Sequence, residues 1–450
     1  MAEATLVNFL LERFAMYSER EALIHPRASC TFGELRNKVT EWRVRIHRHL
    51  PRDASVVALV GDFTPETVAA FLALADDGRV IVPFNRSSSR DRSGEYAVAE
   101  VQAEIAIAAD ESATLVHRGG RISHPHLELL RQRDHAGLVL FSSGTSGDAK
   151  AIVHDLVEVL EKFKVERPGK RTLNFLLFDH MGGINTLFHA LSNGGTVIAV
   201  EDRMPDGVCG AIERHRVEVL PASPTFLNLL VLSEAHLRYD LSTLRLITYG
   251  TEPMSPSTLT KLHRAFPEVQ LLQTYGLAEV GVLRSRSRDN ESLWLRIGGE
   301  GFETRIVDGI LHVRARSAMI GYLNYPDPFT EDGWLVTGDA VEVDGEYIRI
   351  LGRRSELINV GGQKVYPAQV EGVIEEMDNV AGATVYGEAN RIIGNIVCAR
   401  VNLISDEDPR NFAARLKKHC LSRLSAYQVP VRIQITTSSL YGERFKKLRN

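Results

Sequence analysis

Apolar runs punctuated by polar turns set the rhythm of the first 290 residues or so. The opening "MAEATLVNFLLERFAMYSEREAL" spaces its apolar residues as an amphipathic helix does. "SVVALVGDFTPETVAAFLALADDGRVIVPF" (Ser55–Phe84) reads as strand, turn, helix, strand. Its "VVALV" is a buried-strand run, and Thr64 is placed to cap a helix with Pro65 and Glu66 in the first turn. "GGTVIAV" (Gly194–Val200), "VEVLPAS" (Val217–Ser223) and "LRLITYG" (Leu244–Gly250) repeat the theme with helical stretches between them. Strands alternating with helices predict α/β layering around parallel sheets.

Beyond about residue 290 the pattern changes. "GFETRIVDGILHVRA" and "GWLVTGDAVEVDGEYIRILGR" are short strands with D-G turns, which predicts antiparallel hairpins. From Arg354 onward "AGATVYGE", "NIVCARVNL" and the helical "NFAARLKKHCLSRL" suggest a small α+β domain. The expected division is residues 1–353 and 354–450, with few contacts between the two parts.

Composition narrows the function classes. The chain has 450 residues, 44% of them hydrophobic, enough for a large core and more than one domain. A net charge of −4 without a long basic block argues against nucleic acid or an anionic membrane as main partner. Cys30, Cys209, Cys398 and Cys420 lack metal-like spacing and suit a reducing cytoplasm. The N-terminus is acidic where a signal peptide is basic, and no uncharged apolar run nears the ~18 residues of a membrane span.

"GLVLFSSGTSGDAK" carries the first candidate chemistry. An apolar strand runs into Ser142, Ser143, Gly144, Thr145, Ser146 and Gly147, and Lys150 follows. Glycines let backbone N–H groups converge on an anion, and hydroxyls and a lysine add donors. The G-x-x-x-x-G-K-[ST] spacing of a P-loop is absent, since the lysine comes too late and Ala151 stands where a Mg²⁺-binding hydroxyl belongs. A phosphate loop and an ordinary polar turn both fit this stretch taken alone.

Further along stand "TYGTEPM" (Thr248–Met254), "QTYGLAEVG" (Gln273–Gly281), the block from Gly333 to Glu371 containing "TGDAVEV", "LGRRSE" and "NVGGQKVYP", and a terminal "ERFKKLRN". In this order they resemble the adenylate-forming superfamily, in its acyl-CoA synthetase branch, over nearly the whole chain. "TFGELRNKV" near the start is similar to the family's N-terminal region as well. The resemblance implies a large N-terminal domain of parallel and mixed sheets sandwiched by helices, with a β-barrel-like part, followed by a small mobile α+β domain.

The resemblance also implies residue roles. Ser142 to Gly147 and Lys150 would grip the β- and γ-phosphates of ATP. Thr145 and Glu279 would hold Mg²⁺, which suits a carboxylate placed near a triphosphate. Gly250, Thr251, Glu252 and Pro253 would form an adenine-contacting turn, although a plain strand-end turn fits the same residues. Tyr275, followed by Gly276, would stack on adenine, or it is a core tyrosine. Asp339 would accept from the ribose hydroxyls, with Arg353 as a second ribose or phosphate contact. His180, in "FDHMGG", would close the acyl pocket or contact the carboxylate side of it. Neighbouring Asp179 matches amino-acid-activating members if the alignment slips by one residue. Lys446, with Lys447 as the alternative, would be the terminal lysine that offsets charge in the adenylation transition state. Gly361 and Gly362 would pass a pantetheine arm or form a tight turn, and Ser355 would be the hinge.

Two positions depart from the family pattern. Ala278 stands where a threonine often contacts the α-phosphate, and Phe445 stands where the ending G-K-x-x-R has glycine. The implied reaction is ATP-dependent activation of a small carboxylic acid to an acyl-adenylate, then transfer to CoA. Transfer to the phosphopantetheine of a carrier protein is the alternative. The two departures keep open a third reading, a weakly catalytic ATP-binding relative.

Overall fold

The computed structural model describes residues 7–449 except 87–90, 144–148, 300 and 443. Val56–Gly61 is buried at every position, the mark of a strand covered on both faces. It pairs in parallel with Val80–Asn85 and Ala103–Ile107, and Gly137–Ser143 extends the parallel set beyond Val80–Asn85. Antiparallel Ala113–His117 at one edge, and Ala149–Asp155 followed by Gly321–Tyr322 at the other, complete seven strands. A second seven-stranded sheet runs in parallel through Gln270–Gln273, Leu246–Tyr249, Val219–Ala222, Thr172–Asn174, Val197–Ala199 and Glu21–His25, with Ala28–Thr31 antiparallel at its edge.

Between the sheets lie the helices Phe32–His49, Pro65–Asp76 and Met181–Ser192, in one core with Leu59 and Leu138 of the first sheet and Leu23 and Val197 of the second. Pro65–Asp76 is apolar nearly all round because both sheets press on it. Its start is as the sequence predicts: the Thr64 side chain accepts from the Thr67 N–H, and Pro65 opens the helix. Thr31 and Glu34 form a capping box at Phe32–His49. Separate apolar clusters cover the outer faces, Leu127 and Leu130 on the first sheet, Phe226 and Leu262 on the second. The order is helix, sheet, helix, sheet, helix.

The change of pattern past residue 290 becomes a six-stranded antiparallel sheet, from Ser285–Ser287 at one edge to Phe302–Val307 at the other. Asp308 and Gly309, both at positive φ, make the tight turn between Phe302–Val307 and Ile310–Ala315.

The small C-terminal domain has its own core and a five-stranded sheet built from Ile358–Val360, Gln363–Val365, Val380–Asn390, Gly394–Leu403 and Arg432–Ile435. The contact between the two parts is richer than expected. The terminal residues return to the large domain, where Phe445 joins the core under the second sheet and packs on Phe175 and Phe226. Asn228 donates to the Ala381 carbonyl at 3.0 Å, and Lys261 donates to the Glu375 carbonyl at 3.3 Å. A buried aromatic ring on the tail explains the docking, because burial of apolar area outweighs the cost of ordering the segment.

Candidate active site

The helix Met181–Ser192 begins at His180, whose Nδ1 accepts from the Gly182 N–H at 3.0 Å. Gly183 follows because the chain is crowded here: a Cβ would sit 2.2 Å from the Leu177 carbonyl oxygen. His180 lines a small cavity with Leu176, Leu177, Arg203, Thr251, Arg444 and Lys446. Burial, with Arg444, Lys446 and Arg203 nearby, lowers the imidazole to about 3, so it is neutral at physiological pH. Thr251, just past the strand Leu246–Tyr249, holds a left-handed φ of 72°, and its Oγ1 is buried without a partner among the described residues. A strained backbone and an unsatisfied hydroxyl on one cavity wall leave a hydrogen-bonding position for a polar ligand.

The structure separates the two terminal lysines. Lys446 faces the cavity, and burial, with Arg353 and Arg444 adding to it, holds its amine below the usual lysine range. Lys447 turns the other way, its Nζ 2.5 Å from Glu375 and 3.3 Å from Glu371. Arg449 pairs with Glu371 at 2.9 Å and Glu356 at 2.7 Å. Burial pushes the Glu371 carboxyl up, but Lys447 and Arg449 outweigh it and carry it down to about 2.

The "TYGLAEVG" segment folds into a hairpin, Tyr275–Leu277 against Gly281–Leu283. Gly276 is required there, since a Cβ would lie 2.8 Å from the Gly281 oxygen. Tyr275 is buried, and its hydroxyl donates to Asp339 Oδ2 at 2.6 Å. Asp339 and Arg353 are cross-strand partners, and Arg353 Nε lies 3.3 Å from Asp339 Oδ1. Burial raises the Asp339 carboxyl above its ordinary range and Arg353 pulls against it. The three positions are therefore one group, joined by a hydrogen bond from Tyr275 and an ion pair from Arg353, both to Asp339.

Glu279 is half-buried, and its Oε1 accepts from Tyr322 at 2.8 Å. Lys150 Nζ lies 5.1 Å from the rings of both Tyr322 and Tyr325, so Tyr322 links the lysine side of the Ser/Gly-rich segment to this carboxylate. Ser142 pairs in register with Lys150, and Ser143 ends the strand. Gly144, Thr145, Ser146 and Gly147 lie outside the described residues. Among the described residues no group of three or more His, Cys, Asp and Glu gathers as a metal site. Glu279 would hold a hard cation together with ligand phosphates.

Other expected positions differ from their anticipated surroundings. Glu252 spends its carboxylate on Thr225, accepting from its N–H at 2.8 Å and from its hydroxyl, and on the Lys447 N–H at 3.3 Å. It ties a helix start to the terminal segment. Gly250 is needed because a Cβ would meet the Thr274 oxygen at 2.7 Å, and Pro253 is half-buried beyond it. Gly361 and Gly362, at φ 57° and 85°, form the two-residue turn of an exposed hairpin, and a Cβ on either meets nothing within 4 Å. In this arrangement they make the tight turn. Asp179 receives Arg444 at 3.2 Å and faces the tail. Sequence reasoning missed Arg203 and Tyr322, which no motif marks, and gave no role to Arg444, which stands in the terminal "ERFKKLRN"; only chain crossings bring the three to the site.

A family model described as "AMP-binding enzyme" matches residues 10–309, and one described as "AMP-binding enzyme C-terminal domain" matches residues 369–441. The chain belongs to the AMP-binding enzyme family. A relative from Bacillus pumilus named 2-succinylbenzoate–CoA ligase is 27% identical, over 94% of this chain and 92% of its own. A rice relative, 4-coumarate–CoA ligase-like 6, is 26% identical over 78% of this chain and 69% of its own. The solved structure of the anthranilate CoA ligase AuaEII with anthranoyl-AMP shares the fold, with a TM-score of 0.82 at 20% identity, covering 98% of this chain and 95% of the other.

As an AMP-binding enzyme the chain has two unusual positions, and both have local explanations. Phe445, where the family pattern has glycine, holds a left-handed φ of 49°. That conformation costs about 1–2 kcal/mol for a residue with a Cβ, which the buried ring offsets. At Ala278 the side chain offers no donor, and the backbone is fixed instead by His154, whose Nε2 donates to the Ala278 carbonyl at 2.6 Å.

Proposed function

We propose that the protein activates a small carboxylic acid with ATP, releasing pyrophosphate, and then transfers the acyl group from AMP to the thiol of CoA. A carboxylate oxygen attacks the α-phosphorus, and the bond from that phosphorus to the bridging oxygen of pyrophosphate breaks. The thiol sulfur then attacks the acyl carbon, loses its proton, and AMP departs with the former carboxylate oxygen. Activation is needed because a carboxylate is a poor electrophile, whereas AMP is a good leaving group.

The observation that carries this reading is Lys446 facing one cavity with neutral His180 and the unsatisfied Thr251 hydroxyl. The ammonium would offset charge building on the α-phosphate as the acid attacks. His180 would border the acid, and Asp339 with Arg353 would receive the ribose. Tyr275 orders Asp339 through its hydroxyl, and its ring supports the adenine side. Glu279, with Thr145, would hold Mg²⁺, which supplies charge neutralisation of the phosphates. The names of the curated relatives support CoA as acceptor, and a carrier-protein phosphopantetheine remains the alternative. Among the described residues no helix is long and apolar enough to cross a membrane. The scattered buried thiols suit a cytoplasmic setting.

The boundary is proposed at 353/354, with exposed Ser355, inside the short 3₁₀ turn Arg354–Glu356, as the pivot. Rotation there would withdraw Lys446 and bring Gly361 and Gly362 to the site for the second step. The test is acid-dependent pyrophosphate and AMP release across fatty, aryl and amino acids, with CoA and with a holo carrier protein. Pyrophosphate release with no acid in the panel would favour a weakly catalytic relative.

A further inference from the structure

The turn that carries Lys446 also carries a second cation. The Gly442 N–H donates to the Lys446 carbonyl at 3.0 Å, and the Phe445 N–H donates to the Gly442 carbonyl at 2.9 Å. The tail therefore reverses within a few residues, and left-handed Phe445 closes the turn. Arg444 stands in it, two positions before Lys446. Arg444 lines the cavity with His180 and Lys446, and Arg203 lines it too. Among the described residues, three cations and no carboxylate border this space, and His180 is neutral at physiological pH. A cleft lined by one sign of charge gathers ligands of the other, here anions.

The two arginines are not equally committed. Arg203 lies over the rings of Phe175 and Phe445, and its Nε donates to the Phe175 carbonyl at 3.0 Å. Arg444 has a single hydrogen-bond partner among the described residues: its Nη2 donates to Asp179 Oδ2 at 3.2 Å. A guanidinium has five N–H donors, so most of those of Arg444 remain for a ligand. Asp179 precedes His180 at the start of the helix Met181–Ser192, so the ion pair sets the guanidinium beside the imidazole. Of the three cations, Arg444 acts most strongly on His180.

We infer that Arg444 anchors the reacting carboxylate of the acid, donating to it from the guanidinium beside His180 while Lys446 meets the α-phosphate. This rests on the proposed activation of a carboxylic acid with ATP. In that step two anions approach each other. The carboxylate oxygen supplies the electron pair of the new bond to phosphorus, and pyrophosphate leaves with the pair of the bond that breaks. No proton moves, and both cations stay charged throughout. Arg444 would hold the carboxylate against repulsion from the phosphate, and its planar fork would aim one oxygen at phosphorus. Once the adenylate has formed, the acyl group carries no carboxylate charge, and Arg444 has no such group left to hold.

The test follows acyl-adenylate formation at varied acid concentration in wild type, Arg444→Gln, Arg444→Lys and Asp179→Asn. Arg444→Gln is expected to lower kcat/KM for the acid by about tenfold or more, the scale of a charge-assisted hydrogen bond, mainly through KM. Arg444→Lys should retain part of it, keeping the charge and losing the fork. Asp179→Asn breaks the ion pair and leaves the guanidinium on the turn, so its cost should be about threefold or less, as for a partly exposed pair. Chemically prepared adenylate supplied with CoA should be consumed by Arg444→Gln far closer to the wild-type rate. Equal losses in Arg444→Gln and Asp179→Asn would make the pair a structural latch and overturn the inference. So would equal slowing of adenylate formation and adenylate consumption, or a wild-type KM for the acid in Arg444→Gln. A wild-type enzyme that forms no adenylate from fatty, aryl or amino acids would overturn the activation reading itself, and this assignment with it.

Discussion

The Ser223 hydroxyl donates to the Phe445 carbonyl at 2.9 Å while accepting from the Phe226 N–H at 3.2 Å. One side chain thus caps the helix Pro224–Leu232 and holds the residue before Lys446. The carbonyl can be offered only because Phe445 adopts its left-handed φ, with its ring on Phe175, Phe226 and Tyr441. Phe445→Ala keeps the backbone strain and loses the ring. Phe445→Gly loses the ring and the strain together. Both are expected to slow pyrophosphate exchange, and Ala more than Gly, by roughly fivefold, equivalent to about 1 kcal/mol of strain. Equal rates for the two variants would show that strain at Phe445 has no part in positioning Lys446.

The two terminal lysines should fail in different ways. Lys446→Ala is expected to slow adenylation by about 10²-fold or more, by analogy with removing one transition-state donor, at nearly unchanged melting temperature. Lys447→Ala leaves Glu375 without its cation and Glu371 with Arg449 alone. It should lower stability by a few kcal/mol, on the order of a broken buried pair. Pyrophosphate exchange and thermal unfolding on both variants check this. The opposite pattern would exchange the two roles.

Tyr275→Phe removes the hydroxyl donor from buried Asp339 and leaves Arg353 as its partner. The expected loss is about 1–3 kcal/mol in stability, accompanied by a raised KM for ATP. Calorimetry and ATP titration of the first half-reaction measure the two effects. A change in neither would mean that Asp339 does not depend on the tyrosine.

Acid should destabilise the protein through His154 before it reaches the carboxylates. Burial lowers His154 to about 4, so the folded state keeps it neutral while the unfolded chain takes a proton near the ordinary histidine value of 6.5. The unfolded state then binds more protons, and stability falls as pH drops from about 6.5 toward 4. The loss approaches about 3 kcal/mol from this one group. Glu371, held at about 2, adds its own loss as pH falls from about 4.5 through 2. Urea unfolding at pH 7.5, 5.5 and 4.5 reads the first phase, to which His180, lowered to about 3, also contributes, so His154→Gln should remove its own share of the slope and leave that of His180. An unaltered slope in that variant would assign the phase elsewhere.

Ser355→Pro fixes φ at the proposed pivot, and Gly361→Leu forces a side chain onto a φ of 57° in the exposed turn. Both should impair thioester formation much more than acyl-adenylate formation. Single-turnover formation of the adenylate, followed by its decay on adding CoA, separates the steps. Equal slowing of both would make this segment purely structural.

Much of the architecture was legible in the sequence, because it is set by short-range patterns. Val56–Gly61 reads as a strand from its unbroken apolar run, and Thr64 with Pro65 marks a helix start within four residues of it. Asp339 and Arg353 face each other because a hairpin places them in register, so their separation in sequence carried their relationship in space. Tertiary structure decided the rest. The choice of Lys446 over Lys447 depends on Glu371 and Glu375, far away in the chain, which take Lys447 and leave its neighbour to the cavity. Glu252 sits in a motif suggestive of nucleotide contact, yet Thr225 and the Lys447 backbone occupy it. Lys162 has no motif at all, and its partners, Asn185 of the helix and Val282 of the hairpin, come from distant parts of the chain. Local backbone preference and hydrophobic period act over a few residues and write the elements. Pairing of buried charges is settled only when distant segments meet, because its energy depends on which partners burial brings within reach.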